Sequence, residues 1–304
     1  MYTYTAYTLI IQSELELPEL VPAEGAPDVV IRFGKLNVPG YKSSNGGDYF
    51  LGAVEGVATF LVQKGCEIVV EPEPQVEEAV LRPIIEGPLL STLLRQRKKL
   101  VLHAGSFVAH GMSFGFMADS GWGKSTLINT FHTAGYTILT DDVMSLNLEA
   151  EQVTVVPGIP QVKLCFDAAE FMGYKPGQLP LLHSHAPKVG HRLASGFSAR
   201  EFPLKRLYVL DYGDRHDIIP LSPQEAFVAL VHHSRAMTLL TSEEFRVRHL
   251  HQCSALLQHV SVCRLIRKRS LEELPAVVKL IESDIAQLTR QPSQHSEPML
   301  HAAH

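Results

Sequence analysis

Residues 118–126, Ala118-Asp119-Ser120-Gly121-Trp122-Gly123-Lys124-Ser125-Thr126, carry the chemistry most readily read in this chain, and an acidic pair, Asp141-Asp142, begins sixteen residues after Ser125. Small residues ahead of a Lys-Ser pair let backbone N–H groups face phosphate oxygens. The lysine can then span the β and γ phosphates, the serine hydroxyl can bind Mg²⁺, and the N-terminus of the following helix favours the anion. The spacing fits the phosphate-loop pattern G-x-x-x-x-G-K-S/T, with Ala118 at the first glycine position. Ser120, Gly121, Trp122, Gly123, Lys124, Ser125 and Thr126 are therefore the candidate nucleotide-binding residues. The acidic pair has two tasks available: one carboxylate can coordinate Mg²⁺ and the other can take a proton from an attacking hydroxyl. An ATPase needs mainly the first task, and a kinase uses both. His103, fifteen residues before Ala118, ends an apolar stretch from which it can reach the same phosphates.

These residues need a strand before the loop, a helix after it and a second strand to deliver the acids. Ser113 to Met117 reads as the first strand, Thr126 to His132 as the helix with Gly135 as its stop, and Tyr136 to Thr140 as the strand ending at Asp141. Leu100 to Ala104 reads as a neighbouring strand, and 143–156 as further short strands before the Pro157-Gly158-Ile159-Pro160 turn. Residues 173–202 read as a mostly irregular excursion serving as a lid or binding loop. Lys188 and Arg192 in it are candidate phosphate or substrate ligands, and solvated loop charges are the plainer account. Asp167 and Glu170 are candidate extra metal ligands. A strand over 204–210 follows, then a helix opened by the capping signature Ser222-Pro223-Gln224-Glu225, helices over 243–259 and 271–288, and a strand over 260–265 between them.

Upstream, residues 1–75 read as a β-rich meander. Its strands cover 2–11, 28–33, 49–51, 58–62 and 67–70, with turns at Asn45-Gly46-Gly47-Asp48 and Lys64-Gly65. A scaffold or substrate-docking role suits this part. Residues 76–99 read as a helical connector split or kinked by Pro83 and Gly87-Pro88, with Arg95 to Lys99 as its solvated basic end. The expected division is thus 1–75, a β-rich module; 76–99, a connector; 100–290, the catalytic domain; and 291–304, a disordered tail.

The chain has 304 residues, 45% of them hydrophobic, and a formal charge of −5, so no general basic field invites nucleic acid and any anion site must be local. Neither a signal-like start nor a long uncharged apolar window is present, which leads us to expect a soluble, cytoplasmic protein without membrane contact. Cys66, Cys165, Cys253 and Cys263 lack C-x-x-C spacing and read as reduced packing residues. Among the 15 histidines, His183-Ser184-His185, His232-His233 and His301 to His304 show no metal spacing with acidic or thiol partners along the chain.

Leu102-His103-Ala104, Phe116 to Ser125 and Leu139-Thr140-Asp141-Asp142 together resemble the catalytic core of the HPr kinase/phosphorylase superfamily over about forty residues. The resemblance implies an α/β fold with a P-loop kinase core of the HPr kinase and phosphoenolpyruvate carboxykinase type, behind a small β-rich N-terminal domain. It also implies ATP and Mg²⁺ as cofactors, Asp141 as general base toward an acceptor serine, Asp142 beside Ser125 as the metal-associated carboxylate, and His103 as a polar partner of the transferring phosphate. Leu17-Pro18-Glu19-Leu20, Leu94 to Arg97 and Val156 to Pro160 further resemble the shorter HPr-kinase-like proteins found with lasso-peptide biosynthesis. Their implied task is phosphorylation of a precursor peptide at its C-terminal serine. The expected activity is ATP-dependent transfer to a serine-bearing peptide. A nucleotide-switched peptide-binding module, a kinase of a small-molecule hydroxyl, and a homo-oligomeric state all stay open.

Overall fold

The computed structural model describes residues 1–36, 48–182, 187–237 and 242–290. Asn45 to Gly47 of the expected turn, the His183-Ser184-His185 run and the 291–304 tail lie outside the described residues. The fold is mixed α/β, and among the described residues no helix is long and apolar enough to cross a membrane.

The N-terminal strands β1 (Tyr2–Ala6), β2 (Leu9–Ser13), β3 (Val21–Pro22), β4 (Val29–Phe33), β5 (Tyr49–Val54), β6 (Ala58–Gln63) and β7 (Glu67–Pro72) form one sheet ordered β3-β1-β2-β4-β7-β6-β5. It is not a simple meander, because β2 runs parallel to β4 and β4 parallel to β7. Nor is 2–11 one strand. Tyr7 (φ 56°) and Thr8 (φ 60°) both take the left-handed conformation and reverse the chain, a turn that usually draws Asn or Gly. Here tertiary contacts hold it: the Tyr7 ring is buried, and its N–H donates to Pro157 O at 2.9 Å.

Helices α1 (Glu78–Ile84) and α2 (Leu90–Gln96) run on through a π-helical turn, Ile85–Leu89, which contains Gly87-Pro88. The wider turn absorbs the proline, which has no N–H to donate, and its Glu86 is buried. Arg95 departs from the solvated helix end expected of it. It is 1% exposed, with Nη1 bonded to His249 Nδ1 at 2.9 Å, Nε donating to Arg235 O at 3.1 Å, and its guanidinium 5.3 Å from the centre of the Phe245 ring.

The second sheet contains β8 (Leu100–Leu102), β9 (Ala104–Ala109), β10 (Met112–Met117), β11 (Thr137–Thr140), β12 (Met144–Asn147), β13 (Thr154–Val156), β17 (Phe202–Tyr212), β18 (Asp217–Pro220) and β19 (Ser261–Arg267). Its order is β11-β9-β10-β17-β13-β12-β8, with β19 on β17 and β18 on β19. The strands β10, β17 and β19 are mutually parallel, so their C-terminal ends open on the same side, where ligands of α/β sheets usually bind.

Helix α3 (Lys124–Thr133) packs Leu127, Ile128 and Phe131 against this sheet, and Phe131 stacks on Phe107 at 4.0 Å. Gly105 permits the close approach, since a Cβ there would meet Ile128 and the Asp141 backbone. The expected 173–202 excursion is in part a sheet: β14 (Gln161–Cys165), β15 (Leu181–Leu182) and β16 (Lys188–Arg192) are ordered β14-β16-β15. Charged ends around Val189 and Gly190 hide β16 from a propensity reading. Helices α4 (Phe166–Phe171), α5 (Pro223–His232), α6 (Glu243–Leu257) and α7 (Leu274–Arg290) complete the fold, with a full capping box at Ser222 and Glu225.

Candidate active site

The chain leaves β10 at Met117, turns through Ser120 to Gly123 and enters α3 at Lys124. Gly121 (φ 86°) and Gly123 (φ 76°) make the turn, whereas Ala118 has no positive φ and is packed in the core, so alanine carries no backbone penalty there. A Cβ at Gly123 would run into Arg267 Nη2, which donates to Trp122 O at 2.7 Å. The Trp122 ring stacks on Tyr212 at 5.0 Å and does not line the cavity beside the loop. Tyr212 and Arg267 end β17 and β19, and Arg267 lies 4.8 Å from the centre of the Tyr212 ring. The three parallel strands thus brace the loop by their ends.

The cavity measures about 160 Å³ and is lined by Ser120, Gly121, Gly123, Lys124, Ser125 and Thr126 from the loop and helix, with His103. Five cations border it: Lys124, Lys163, Lys188, Arg267 and Arg269, against the carboxylates of Asp119 and Asp167. In a chain of formal charge −5 this is a local concentration of positive charge, the only form of anion site that composition allowed. The donor set, the left-handed glycines and the helix N-terminus together fit a polyphosphate.

Lys124 is buried, and burial lowers its pKa while Asp141 and Asp142 oppose the shift. Its Nζ lies 2.8 Å from His103 Nε2, which is itself 3.3 Å from Asp142 Oδ1. That ring nitrogen can accept from Lys124 or donate to Asp142, but not both at once. Burial, the largest influence, pushes the imidazole down to about 4, so His103 is neutral at pH 7.

The two aspartates differ sharply. Asp142 Oδ1 meets the Arg235 guanidinium, and Oδ2 is 3.1 Å from Lys163 Nζ. Burial works against its charge, yet Lys163 and then Arg235 hold the carboxyl well below the ordinary range. Asp141 is buried, and its Oδ2 accepts the Lys163 N–H at 2.9 Å while Oδ1 has no partner. Burial raises its pKa, with Lys124 in opposition. Asp141 also borders a void of about 20 Å³, room for one ordered water, together with two other residues that carry unpartnered buried oxygens, Glu86 (Oε1) and Gln161 (Oε1).

Asp142, with both oxygens taken by protein cations, does not present itself as a free metal ligand. Lys188 lines the cavity, away from the solvated position that was the plainer account of it. Arg192 does not: it shares a face of β16 with Lys188 but stands four residues, about 13 Å, further along the strand, where its guanidinium donates to Leu20 O at 3.2 Å. Asp167 lines the cavity beside the loop, whereas Glu170 lines an apolar one of about 350 Å³ on the other side of α4, with Phe166, Tyr174 and Leu179. Sequence reasoning missed Lys163, Tyr212, Arg235, Arg267 and Arg269. The signal for Tyr212 and Arg267 was their place at the ends of strand-like runs. Nothing local marked Arg235.

No family model matches the chain, and no curated protein matches it. Among solved structures, the one titled "Structure of the Hpr(Ser) kinase/phosphatase from Coxiella burnetii" superposes with a TM-score of 0.35 at 13% identity, over 63% of this chain and 99% of that one. At that score the likeness says nothing of fold or chemistry.

Proposed function

We propose that this chain is an ATP-dependent phosphotransferase that transfers the γ-phosphoryl group to a serine hydroxyl of a peptide. The reading extends to the finer expectation of the motif resemblance, a precursor peptide phosphorylated at its C-terminal serine. The observation that carries it is a five-cation cavity on the glycine loop together with a buried aspartate, Asp141, whose charge interacts with that of Lys124 and which keeps one oxygen unpartnered.

Lys124, the loop N–H groups and Arg267 bind and orient the phosphates, while Lys163 and Lys188 add positive charge to the same cavity. Asp141 Oδ1 takes the proton as the acceptor oxygen bonds to phosphorus and the bond to the ADP oxygen breaks. Burial, which raises this carboxyl above its ordinary pKa, makes it a better base than a solvated aspartate. Arg235 and Lys163 fix Asp142, and His103 Nε2 sits between Asp142 and Lys124, free to bond one or the other. Mg²⁺, when carried in with ATP, supplies charge neutralisation, for which the Ser125 hydroxyl is the residue at hand. A peptide is favoured over a small hydroxyl compound because α4 divides the phosphate cavity from the apolar one, which offers a seat for a side chain flanking the serine.

The test is intact mass after incubation with MgATP and a serine-bearing peptide. One added phosphate is expected, and Asp141→Asn should abolish it while ATP binding persists. An unmodified partner that binds only in the presence of ATP would instead identify a nucleotide-switched binding module, and an AMP adduct a nucleotidyl transfer.

A further inference from the structure

We propose that Asp119, His232 and His233 form a site for a divalent transition metal of the Zn²⁺ class, which pins the phosphate loop to the C-terminal end of α5. Asp119 lies in that loop, His232 is the last residue of α5 and His233 caps it. The carboxylate is 113 positions from His232, so no spacing in the sequence announces the cluster.

The geometry is that of ligands around one ion. His232 Nε2 lies 2.9 Å and His233 Nδ1 3.7 Å from the same oxygen, Asp119 Oδ1, and the three donor atoms all fall within 4.8 Å of one another. Bonds of about 2.0–2.1 Å in a tetrahedral site set donor atoms roughly 3.3 Å apart, so the two observed separations bracket the required one. The imidazole planes stand at 80°, with centroids 4.7 Å apart, and so approach the carboxylate from different directions.

His233 is held in place: its side chain is 7% exposed, and its carbonyl accepts the His103 N–H at 2.6 Å. Burial keeps it unprotonated at neutral pH, as a ligand must be. The carbonyl end of a ten-residue helix adds a field that favours a cation. Two imidazoles and one carboxylate select Zn²⁺, Ni²⁺ or Cu²⁺ over Mg²⁺ and Ca²⁺, and three protein ligands leave a coordination position open. Because Asp119 also borders the cavity beside the loop, occupancy would restrain the loop at a second point besides the Arg267 bond to Trp122 O.

The site is independent of phosphotransfer, so the test needs no nucleotide. The full chain, without an added histidine tag and stripped with EDTA, is titrated with Co²⁺ and then Zn²⁺. One equivalent of Co²⁺ should give a visible ligand-field band that Zn²⁺ bleaches. His232→Ala and Asp119→Asn should each weaken Zn²⁺ binding at least tenfold, while His132→Ala, which alters a histidine pair lacking a carboxylate, should not. Histidines elsewhere are common to every variant, so their background binding cancels. Zn²⁺ should raise the unfolding midpoint of the parent more than that of His232→Gln, a conservative change at a side chain 59% exposed. Equal Zn²⁺ affinity in the parent and both site variants, or the absence of the Co²⁺ band, would overturn the proposal and leave two histidines that only hydrogen-bond Asp119.

Discussion

Replacing Asp142 with Asn separates two roles open to a carboxylate at this position, a metal ligand or the hub of an ion-pair network. Lys163 Nζ lies 3.1 Å from Oδ2, Arg235 meets Oδ1, and the carboxylate side chain is 24% exposed. The gross attraction of Lys163 alone is about 5 kcal/mol at an effective dielectric of about 20, and desolvation offsets much of it. Removing one member of a fully buried pair costs about 3–5 kcal/mol, and partial exposure reduces this to about 2–4 kcal/mol. In a chain of this size that is a fall of roughly 3–6 °C in the unfolding midpoint. The assay is thermal unfolding without metal or nucleotide. A metal ligand would behave differently: neutralising one of two adjacent carboxylates would leave the apo midpoint unchanged or raised, and the loss would appear only in Mg²⁺-dependent ATP binding. An apo midpoint within a degree of the parent would refute the hub. The pH dependence adds a second check. A depressed folded pKa means that Asp142 contributes its full stability above the unfolded value, about 3.9, and loses it as pH falls through the folded one. The gap between parent and variant should therefore be constant from neutrality to about pH 4.5 and close in stronger acid.

His103, His233 and His249 are each pushed down to about 4, chiefly by burial, so between pH 6.5 and 4 the unfolded chain binds more protons than the folded one. Stability should fall with acid over that window by up to about 1.4 kcal/mol per pH unit for each histidine, as read from urea midpoints at pH 7, 6 and 5; a flat profile would contradict it. Lys124→Met should lower ATP affinity at least tenfold in calorimetry without reducing apo stability, because a buried ammonium costs desolvation that the thioether does not. Gly123→Ala should cost about 1–2 kcal/mol for the left-handed backbone and expel Arg267 from Trp122 O, weakening ATP binding roughly tenfold. Unchanged affinity there would show that the Arg267 brace is dispensable.

Much of the loop was legible because its geometry is local. A strand, two glycines able to take positive φ and a helix-forming run specify one another within about twenty residues, and the same holds for the capping box at Ser222. Where pairing partners lie far apart, legibility failed. Tyr7 and Thr8 turn the chain against their own propensities because Tyr7 docks on Pro157, and the charges flanking Val189 and Gly190 concealed β16 until β14 lay beside it. Arg95 looked like a solvated helix end because its acceptors, Arg235 O and His249 Nδ1, are 140 and 154 positions away.

The amino-acid sequence alone determined that a glycine turn between a strand and a helix forms at 118–126 and that two acids follow the end of the next strand, since both depend on near-neighbour backbone geometry. Only the tertiary structure decided what surrounds them. Parallel pairing of β10, β17 and β19 brings Arg267 to the loop, and Arg235 crosses 93 positions to hold Asp142, leaving Asp141 as the aspartate with an unpartnered oxygen. Which strands pair and which ions meet at such separations is settled only when the core packs, although the alternation within each strand limits the registers available.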